Sequence, residues 1–137
     1  YDSTIEPLKG LREFLEKIGQ AGLPLAIATS APRANVDFTL RKTGFEGFFD
    51  TIIDDSFVTR GKPDPEVYLK AAAALGMEPG KCIVFEDSLA GVESARKAGC
   101  KVVALTTTHT PAELSDSDEV VDDFSRLDPK QLIDKLF

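Results

Sequence analysis

The chain has 137 residues, of which 42% are hydrophobic and 28% are charged, the balance of one soluble globular domain. Its net charge of −7 argues against a nucleic-acid-binding surface, which needs clustered Lys and Arg to displace counterions. No apolar run approaches the ~20 residues that a membrane span needs, and no signal-like leader follows Tyr1. We therefore predict a single cytoplasmic domain over residues 1–137, with neither a membrane nor a nucleic acid as partner.

The two cysteines agree with a cytoplasmic location. Cys82 falls in a predicted strand and Cys100 follows a predicted helix, and the pair lacks the spacing of metal ligands. Both residues are explained as reduced cysteines that are buried like other small apolar side chains.

The first predicted helix begins near Pro7, a favoured first helical residue, and ends before Gly22. Its apolar side chains recur at spacings of three, four and three residues, which is typical of an amphipathic helix. They are Leu8, Leu11, Leu15 and Ile18.

Apolar strands alternate with helices along the rest of the chain. Strands are predicted at residues 25–28, 51–53, 82–85, 101–105 and 119–121, and further helices begin near Pro32, Asp64, Leu89 and Asp128. The strands are mainly apolar and show no alternation of apolar and polar residues, which indicates burial on both faces. We predict an α/β fold, Rossmann-like, with a mainly parallel sheet that is flanked by helices on both faces.

Polar side chains that suit a phosphate follow two of these segments. Thr29 and Ser30 end a strand and precede a helix, so a hydroxyl and backbone N–H groups meet there; a plain helix cap is the simpler alternative. Lys62 lies between Gly61 and Pro63 in a turn, where its ammonium group can neutralise a phosphoryl oxygen. A merely solvated lysine is the alternative.

Glu86 and Asp87 are the strongest candidates for a metal site. They directly follow a buried apolar strand, where carboxylates are costly unless a cation or capping partners compensate them. Mg²⁺ typically uses one or two protein carboxylates, and phosphate and water supply the remaining ligands. The competing explanation is that Asp87 caps the helix that begins at Leu89.

Two further polar groups have simpler interpretations. Asp54 and Asp55 also follow a strand, but turn and capping roles explain them sufficiently. His109 lies in a threonine-rich loop without a second His or a nearby Cys, so we give it no catalytic role.

Three motifs together resemble the haloacid dehalogenase-like (HAD) superfamily, in particular phosphatases and phosphomutases similar to β-phosphoglucomutase. They are Leu-Ala-Ile-Ala-Thr-Ser at 25–30, Gly-Lys-Pro-Asp-Pro at 61–65, and Phe-Glu-Asp-Ser at 85–88 with Gly91. The resemblance covers nearly the whole chain. It implies a hydrolase that uses Mg²⁺ and a phosphorylated small molecule, and that transfers the phosphoryl group through an aspartyl-phosphate.

The resemblance also implies a role for each site residue. The Thr29 hydroxyl and the Ser30 N–H would hold phosphoryl oxygens. Lys62 would bridge the phosphate and the nucleophile, and Asp87 would ligand Mg²⁺ with Glu86 beside it. Such a site stabilises the negative charge that spreads over the equatorial oxygens in the transition state.

The first motif of that family, an Asp-x-Asp after an N-terminal strand, is not found. The acids of Asp116-Ser117-Asp118 lie in a late polar loop, and Asp2 follows no strand. The helical cap that selects the substrate in this subgroup is also not found. We therefore expect an N-terminally truncated core that is inactive alone because the nucleophile is not in this chain.

The missing strand has a structural consequence. In the family it lies between the strands that here end at Thr29 and at Glu86, so its loss leaves two interior edges unpaired. We expect either that these strands close on each other, or that a homodimer or a strand-donating partner fills the gap.

The sequence also raises two other functions. The first is a non-catalytic interaction or scaffold domain that keeps the fold and uses the gap as its interface. The second is a phospho-accepting receiver domain. The order of the residues argues against a receiver, because Lys62 precedes Glu86 and Asp87.

Overall fold

The computed structural model describes residues 8–137. The helices are α1 (Leu11–Gln20), α2 (Arg33–Thr43), α3 (Glu66–Ala74), α4 (Leu89–Ala98) and α5 (Pro129–Leu136). The strands are β1 (Ala26–Ala28), β2 (Thr51–Ile53), β3 (Ile83–Glu86), β4 (Lys101–Leu105) and β5 (Glu119–Val121). Within these residues no helix is long and apolar enough to cross a bilayer.

The start of α1 differs from the prediction. Pro7 lies outside the described residues, and Leu8 precedes the helix, which begins at Leu11. Gly10 has a φ of 82°, and a Cβ there would lie 2.5 Å from the backbone nitrogen of Ser125. The chain therefore turns at Gly10 to pack against a distant loop, and this contact outweighs the leucine spacing.

The remaining helices follow their local signals closely. Gly44 and Gly99 adopt left-handed conformations at the ends of α2 and α4. Helix α3 begins at Glu66, two residues after the predicted Asp64, whose side chain accepts a hydrogen bond from the Glu66 N–H. Helix α5 begins at Pro129, next to the predicted Asp128, whose side chain caps the helix by accepting from the Gln131 N–H.

All strand pairs are parallel, which confirms the α/β prediction, but the strands form two sheets. One sheet has the order β1-β2 and the other the order β3-β4-β5. In the first sheet Ala28 lies opposite Ile53, and in the second Glu86 lies opposite Ala104. Within each sheet, parallel pairing brings the carboxyl ends of the strands to one edge.

Helices cover both faces of the strands, as predicted. Along β4 the side chains alternate between two apolar cores. Val102 and Ala104 pack in the core that includes residues of α3 and α4, and Val103 and Leu105 in the core that includes residues of α1, α2 and α5. Cys100 is buried in the first core and Cys82 is half-buried beside it, and both are free thiols.

Of the two alternatives for the unpaired strands, closure on each other is wrong. Among residues 8–137 no strand pairing joins β1 to β3. A cleft of about 420 Å³ lies between them, and both strands line it together with residues of α1, α3 and α5. The physical reason is that the helices pack against both strands at once. Ala28 and Val84 contact one core, and Ile27 and Phe85 contact the other. We call this space the interstrand cleft.

Candidate functional site

The structure brings Lys62 and Glu86 together at the carboxyl end of β3. Lys62 Nζ lies 2.7 Å from Glu86 Oε2. The side chain of Glu86 is only 9% exposed and that of Lys62 is 20% exposed, so solvent screens this ion pair much less than a surface pair. The loop before α3 and the end of β3 therefore meet at one buried carboxylate.

Both oxygens of Glu86 are surrounded by donors. Oε2 accepts from Lys62 Nζ and from the hydroxyl of Tyr68 at 2.5 Å. Oε1 accepts from the backbone N–H of Asp87 at 3.1 Å and from the N–H and hydroxyl of Ser88 at 3.4 and 3.3 Å. These contacts use essentially all of the acceptor sites that a carboxylate offers. We call Lys62, Tyr68, Glu86 and Ser88 the Glu86 cluster.

The cluster keeps Glu86 ionised despite its burial. Burial raises the pKa of a carboxyl group, but the Lys62 ammonium and the hydrogen bonds from Lys62, Tyr68 and the Asp87 N–H outweigh it, so the pKa of Glu86 lies below its usual value. Burial and the adjacent Glu86 charge raise the pKa of the Tyr68 hydroxyl, which therefore stays a hydrogen-bond donor.

Gly91 provides the space that the Glu86 carboxylate occupies. A Cβ at Gly91 would lie 1.9 Å from Glu86 Cδ and 2.1 Å from Oε2. Any side chain at this position in α4 must therefore displace the carboxylate. This close approach explains in physical terms why a glycine follows the acidic pair.

Asp87 has a different environment from Glu86. It is half-buried, and its Oδ2 accepts from the Thr107 hydroxyl at 3.0 Å. The alternative in which Asp87 caps α4 is wrong, because the Ser88 hydroxyl accepts from the Gly91 N–H at 3.0 Å and is the cap. Among the described residues Oδ1 of Asp87 accepts no hydrogen bond, so one carboxylate oxygen is available for a ligand.

The loop after β4 packs against the backbone of Asp87. Its carbonyl oxygen lies 3.0 Å from the Thr108 hydroxyl and 3.2 Å from Nδ1 of His109. His109 thus contacts the backbone of Asp87.

Thr29 and Ser30 lie at the carboxyl end of β1, on the other side of the interstrand cleft. The Thr29 hydroxyl accepts from the Ala31 N–H at 3.1 Å, and Ser30 is exposed. Helix α2 has Pro32 at its start and no side-chain cap, so neither hydroxyl caps the helix, contrary to the simpler alternative. Within residues 8–137 no hydrogen bond or ion pair links these hydroxyls to Lys62 or Asp87.

Asp54 has the capping role that the sequence suggested. It is 3% exposed and accepts from the N–H and the hydroxyl of Ser56 at 2.8 and 2.6 Å, at the start of the short turn Asp55–Phe57. These hydrogen bonds lower the pKa of Asp54. The residue therefore organises a turn.

The loop that carries Lys62 is held by Glu66. Its Oε1 accepts from the N–H groups of Thr59 and Arg60, each at 2.7 Å, and Lys70 Nζ lies 3.2 Å from Oε2. The Arg60 hydrogen bond is the main reason that the pKa of Glu66 falls to about 2. Sequence inspection missed this residue, because an acid in the first turn of a helix is common.

The oxygen ligands at the end of β3 are of the kind that binds Mg²⁺ together with phosphate and water. No group of three or more His, Cys, Asp or Glu side chains is placed to hold a metal within the described part of the chain. Mg²⁺ needs fewer protein ligands than this, because it keeps several waters and takes phosphate oxygens. The free carboxylate oxygen of Asp87 is a hard oxygen ligand of the right kind.

Comparisons with known proteins agree with the motifs. The family model of haloacid dehalogenase-like hydrolases matches residues 1–105. Validoxylamine A 7'-phosphate phosphatase of Streptomyces hygroscopicus subsp. limoneus is 40% identical over 118 residues, which are 86% of this chain and 55% of that protein. The chain spans about half the length of the first curated relatives that it matches.

Solved structures give the same picture. A family IA, variant 3 HAD hydrolase from Entamoeba histolytica superposes with a TM-score of 0.87 and 31% identity, over 94% of this chain and 60% of that one. A mutant of CbbY from Rhodobacter sphaeroides, in complex with xylulose-(1,5)bisphosphate, gives a TM-score of 0.81 and 28% identity, over 88% and 55% of the two chains.

The substitution Gly91→Ala tests the packing of Glu86. Replacing a helical glycine by alanine normally stabilises a protein by about 1 kcal/mol. Here we expect destabilisation by about 1–3 kcal/mol, because the displaced carboxylate loses buried partners. Urea unfolding measures the change. Gly80→Ala, where a Cβ meets nothing within 4 Å, is the control and should change stability by less than about 0.5 kcal/mol. A stabilised Gly91→Ala protein would contradict this packing.

Glu66→Gln tests the loop that holds Lys62. The folded-state pKa of about 2 lies below the ordinary value of 4.5, so this carboxylate stabilises the fold fully above pH 4.5, and the contribution disappears as the pH falls through 2. We expect Glu66→Gln to lower the free energy of unfolding near pH 6 and to make its decline in acid shallower. Urea unfolding at a series of pH values measures both changes. Identical pH profiles for the two proteins would refute the role of Glu66.

Proposed function

Because this chain belongs to the haloacid dehalogenase-like hydrolases, we propose that it carries the phosphate-binding and Mg²⁺-binding part of a phosphatase or phosphomutase site. The observation that carries the proposal is the placement of Lys62 against Glu86, with the available Asp87 oxygen beside them. One relative is named as a phosphatase of a phosphorylated compound, and one matched structure holds a bisphosphate. We infer a phosphorylated small molecule, such as a sugar phosphate, as the substrate class.

Each residue has a role in the proposed site. The ammonium group of Lys62 has three donors; one binds Glu86, and two are left for a phosphoryl oxygen and the attacking carboxylate. The Thr29 hydroxyl can donate to a second phosphoryl oxygen while it accepts from Ala31, and the Ser30 N–H binds a third. Asp87 would hold Mg²⁺ through its available carboxylate oxygen, with Glu86 beside it. When bound, Mg²⁺ neutralises charge on the phosphoryl oxygens.

The attacking aspartate is not among these residues. Since no Asp-x-Asp follows a strand in this sequence, we propose that the chain alone, as one core domain, binds phosphate without turning it over. The free thiols of Cys82 and Cys100 agree with the reducing cytoplasm that we propose as its location.

Titration with inorganic phosphate in the presence of Mg²⁺ tests this proposal. We expect calorimetry to detect phosphate binding that Lys62→Met weakens about 10- to 100-fold, because a charge-assisted hydrogen bond is lost. Lys97→Met is the matched control, since the ion pair that Lys97 makes within residues 8–137 is with Glu93 on the surface of α4, and it should bind phosphate like the wild type.

Two results would count against the proposal. Equal phosphate affinity for the Lys62→Met protein and the wild type would remove the role of Lys62. Hydrolysis of a phosphate ester by the purified chain, abolished by Asp87→Ala, would show that the chain is active alone and that its nucleophile lies elsewhere in the sequence.

The interstrand cleft favours a second candidate function, a non-catalytic interaction domain. Both bordering strands have an edge without a strand partner in the described part of the chain, and apolar side chains such as Ile27 and Phe85 line the space between them. An added strand would satisfy the free backbone groups on both sides. We propose a second copy of this chain, or a strand-donating partner, as the occupant.

Light scattering across a range of protein concentrations distinguishes these occupants. Association of two copies through the cleft predicts a dimer at high concentration, with amide protons of Ala26–Ala28 and Ile83–Glu86 that exchange more slowly in the dimer. A monomer at all concentrations, with fast exchange at these amides, would rule out pairing between copies.

A further inference from the structure

Tyr68 contacts both charged members of the Glu86 cluster. Its hydroxyl lies 2.5 Å from Glu86 Oε2, and its ring centroid lies 5.1 Å from Lys62 Nζ. The residue is in the first turn of α3 and is only 7% exposed. A single buried side chain therefore bridges the carboxylate and the ammonium group from one side.

Packing alone does not require a hydroxyl at this position. Tyr68 belongs to an apolar core whose other members on α3 are Val67 and Ala71, and a phenylalanine would fill the same space. Buried tyrosine hydroxyls need a partner, and here that partner is the same Glu86 oxygen that accepts from Lys62. The hydroxyl is thus directed at the ion pair of the proposed site.

We propose that Tyr68 is a positioning residue that orients the Lys62 ammonium group for phosphate. This inference rests on the proposed function. The hydroxyl fixes the direction of Glu86 Oε2, which in turn fixes one donor of Lys62. The face of the ring occupies another side of the ammonium group, where the attraction between a cation and an aromatic ring holds it. The two remaining donors are then restricted to directions away from Glu86.

Tyr68→Phe isolates the hydroxyl, because it keeps the ring and the apolar packing. We expect this variant to fold, with a lower midpoint in urea because the buried Glu86 carboxylate loses a donor, and to bind inorganic phosphate with Mg²⁺ about three- to tenfold more weakly. Val67→Ala is the matched control. It removes packing at the adjacent buried position of α3, where 2% of the side chain is exposed, and should lower stability while phosphate affinity stays within about twofold.

The ¹⁵N NMR signal of the Lys62 ammonium group gives a second readout that does not need phosphate. An ammonium group held by Glu86 and Tyr68 exchanges its protons slowly and gives an observable signal, which Lys62→Arg assigns by removing it. We expect Tyr68→Phe to broaden or shift this signal, and Val67→Ala to leave it in place.

The outcomes separate this inference from the proposed function. If the wild type binds no phosphate but the Lys62 signal depends on the Tyr68 hydroxyl, the proposed function fails and the positioning of Lys62 stands. If Tyr68→Phe leaves the Lys62 signal and the phosphate affinity unchanged, or changes them no more than Val67→Ala does, the positioning role is refuted. The absence of a Lys62 signal in the wild type would also refute it.

Discussion

A buried carboxylate, Glu86, is the constraint on which the rest of the site depends. Its charge at the end of an apolar strand is tolerated because Lys62, Tyr68 and the backbone after β3 all donate to it. Gly91 leaves the space that it fills. One carboxylate thereby fixes the loop before α3, the first turn of α3 and the start of α4 relative to β3.

The interstrand cleft divides the proposed site into two parts. Thr29 and Ser30 lie at the end of β1, and Lys62, Glu86 and Asp87 lie at the end of β3. No strand pairing joins these two strands among residues 8–137. Helices that pack against both strands set the separation of the two parts.

Much of the fold was predictable because its signals are local. The bounds of β2, β4, β5 and α4 match the sequence prediction, since apolar runs, prolines and glycines mark them directly. The ion pair between Lys62 and Glu86 was not predicted. The resemblance implied only that Lys62 contacts the phosphate and the nucleophile and that Glu86 lies beside Asp87, whereas their contact depends on how the loop before α3 packs against the end of β3. The start of α1 was not predictable, because it depends on a contact of Gly10 with Ser125 near the other end of the chain. The contact of Tyr68 with Glu86 was missed, because an aromatic residue on an apolar helix is normally predicted to be a core residue.

An NMR map of amide shifts on addition of phosphate tests the central claim most directly, because it locates the binding site. The account predicts that the amides of Thr29, Ser30, Lys62 and Asp87 shift together, and only when Mg²⁺ is present. Shifts confined to other parts of the chain, or shifts at these amides that do not depend on Mg²⁺, would contradict it.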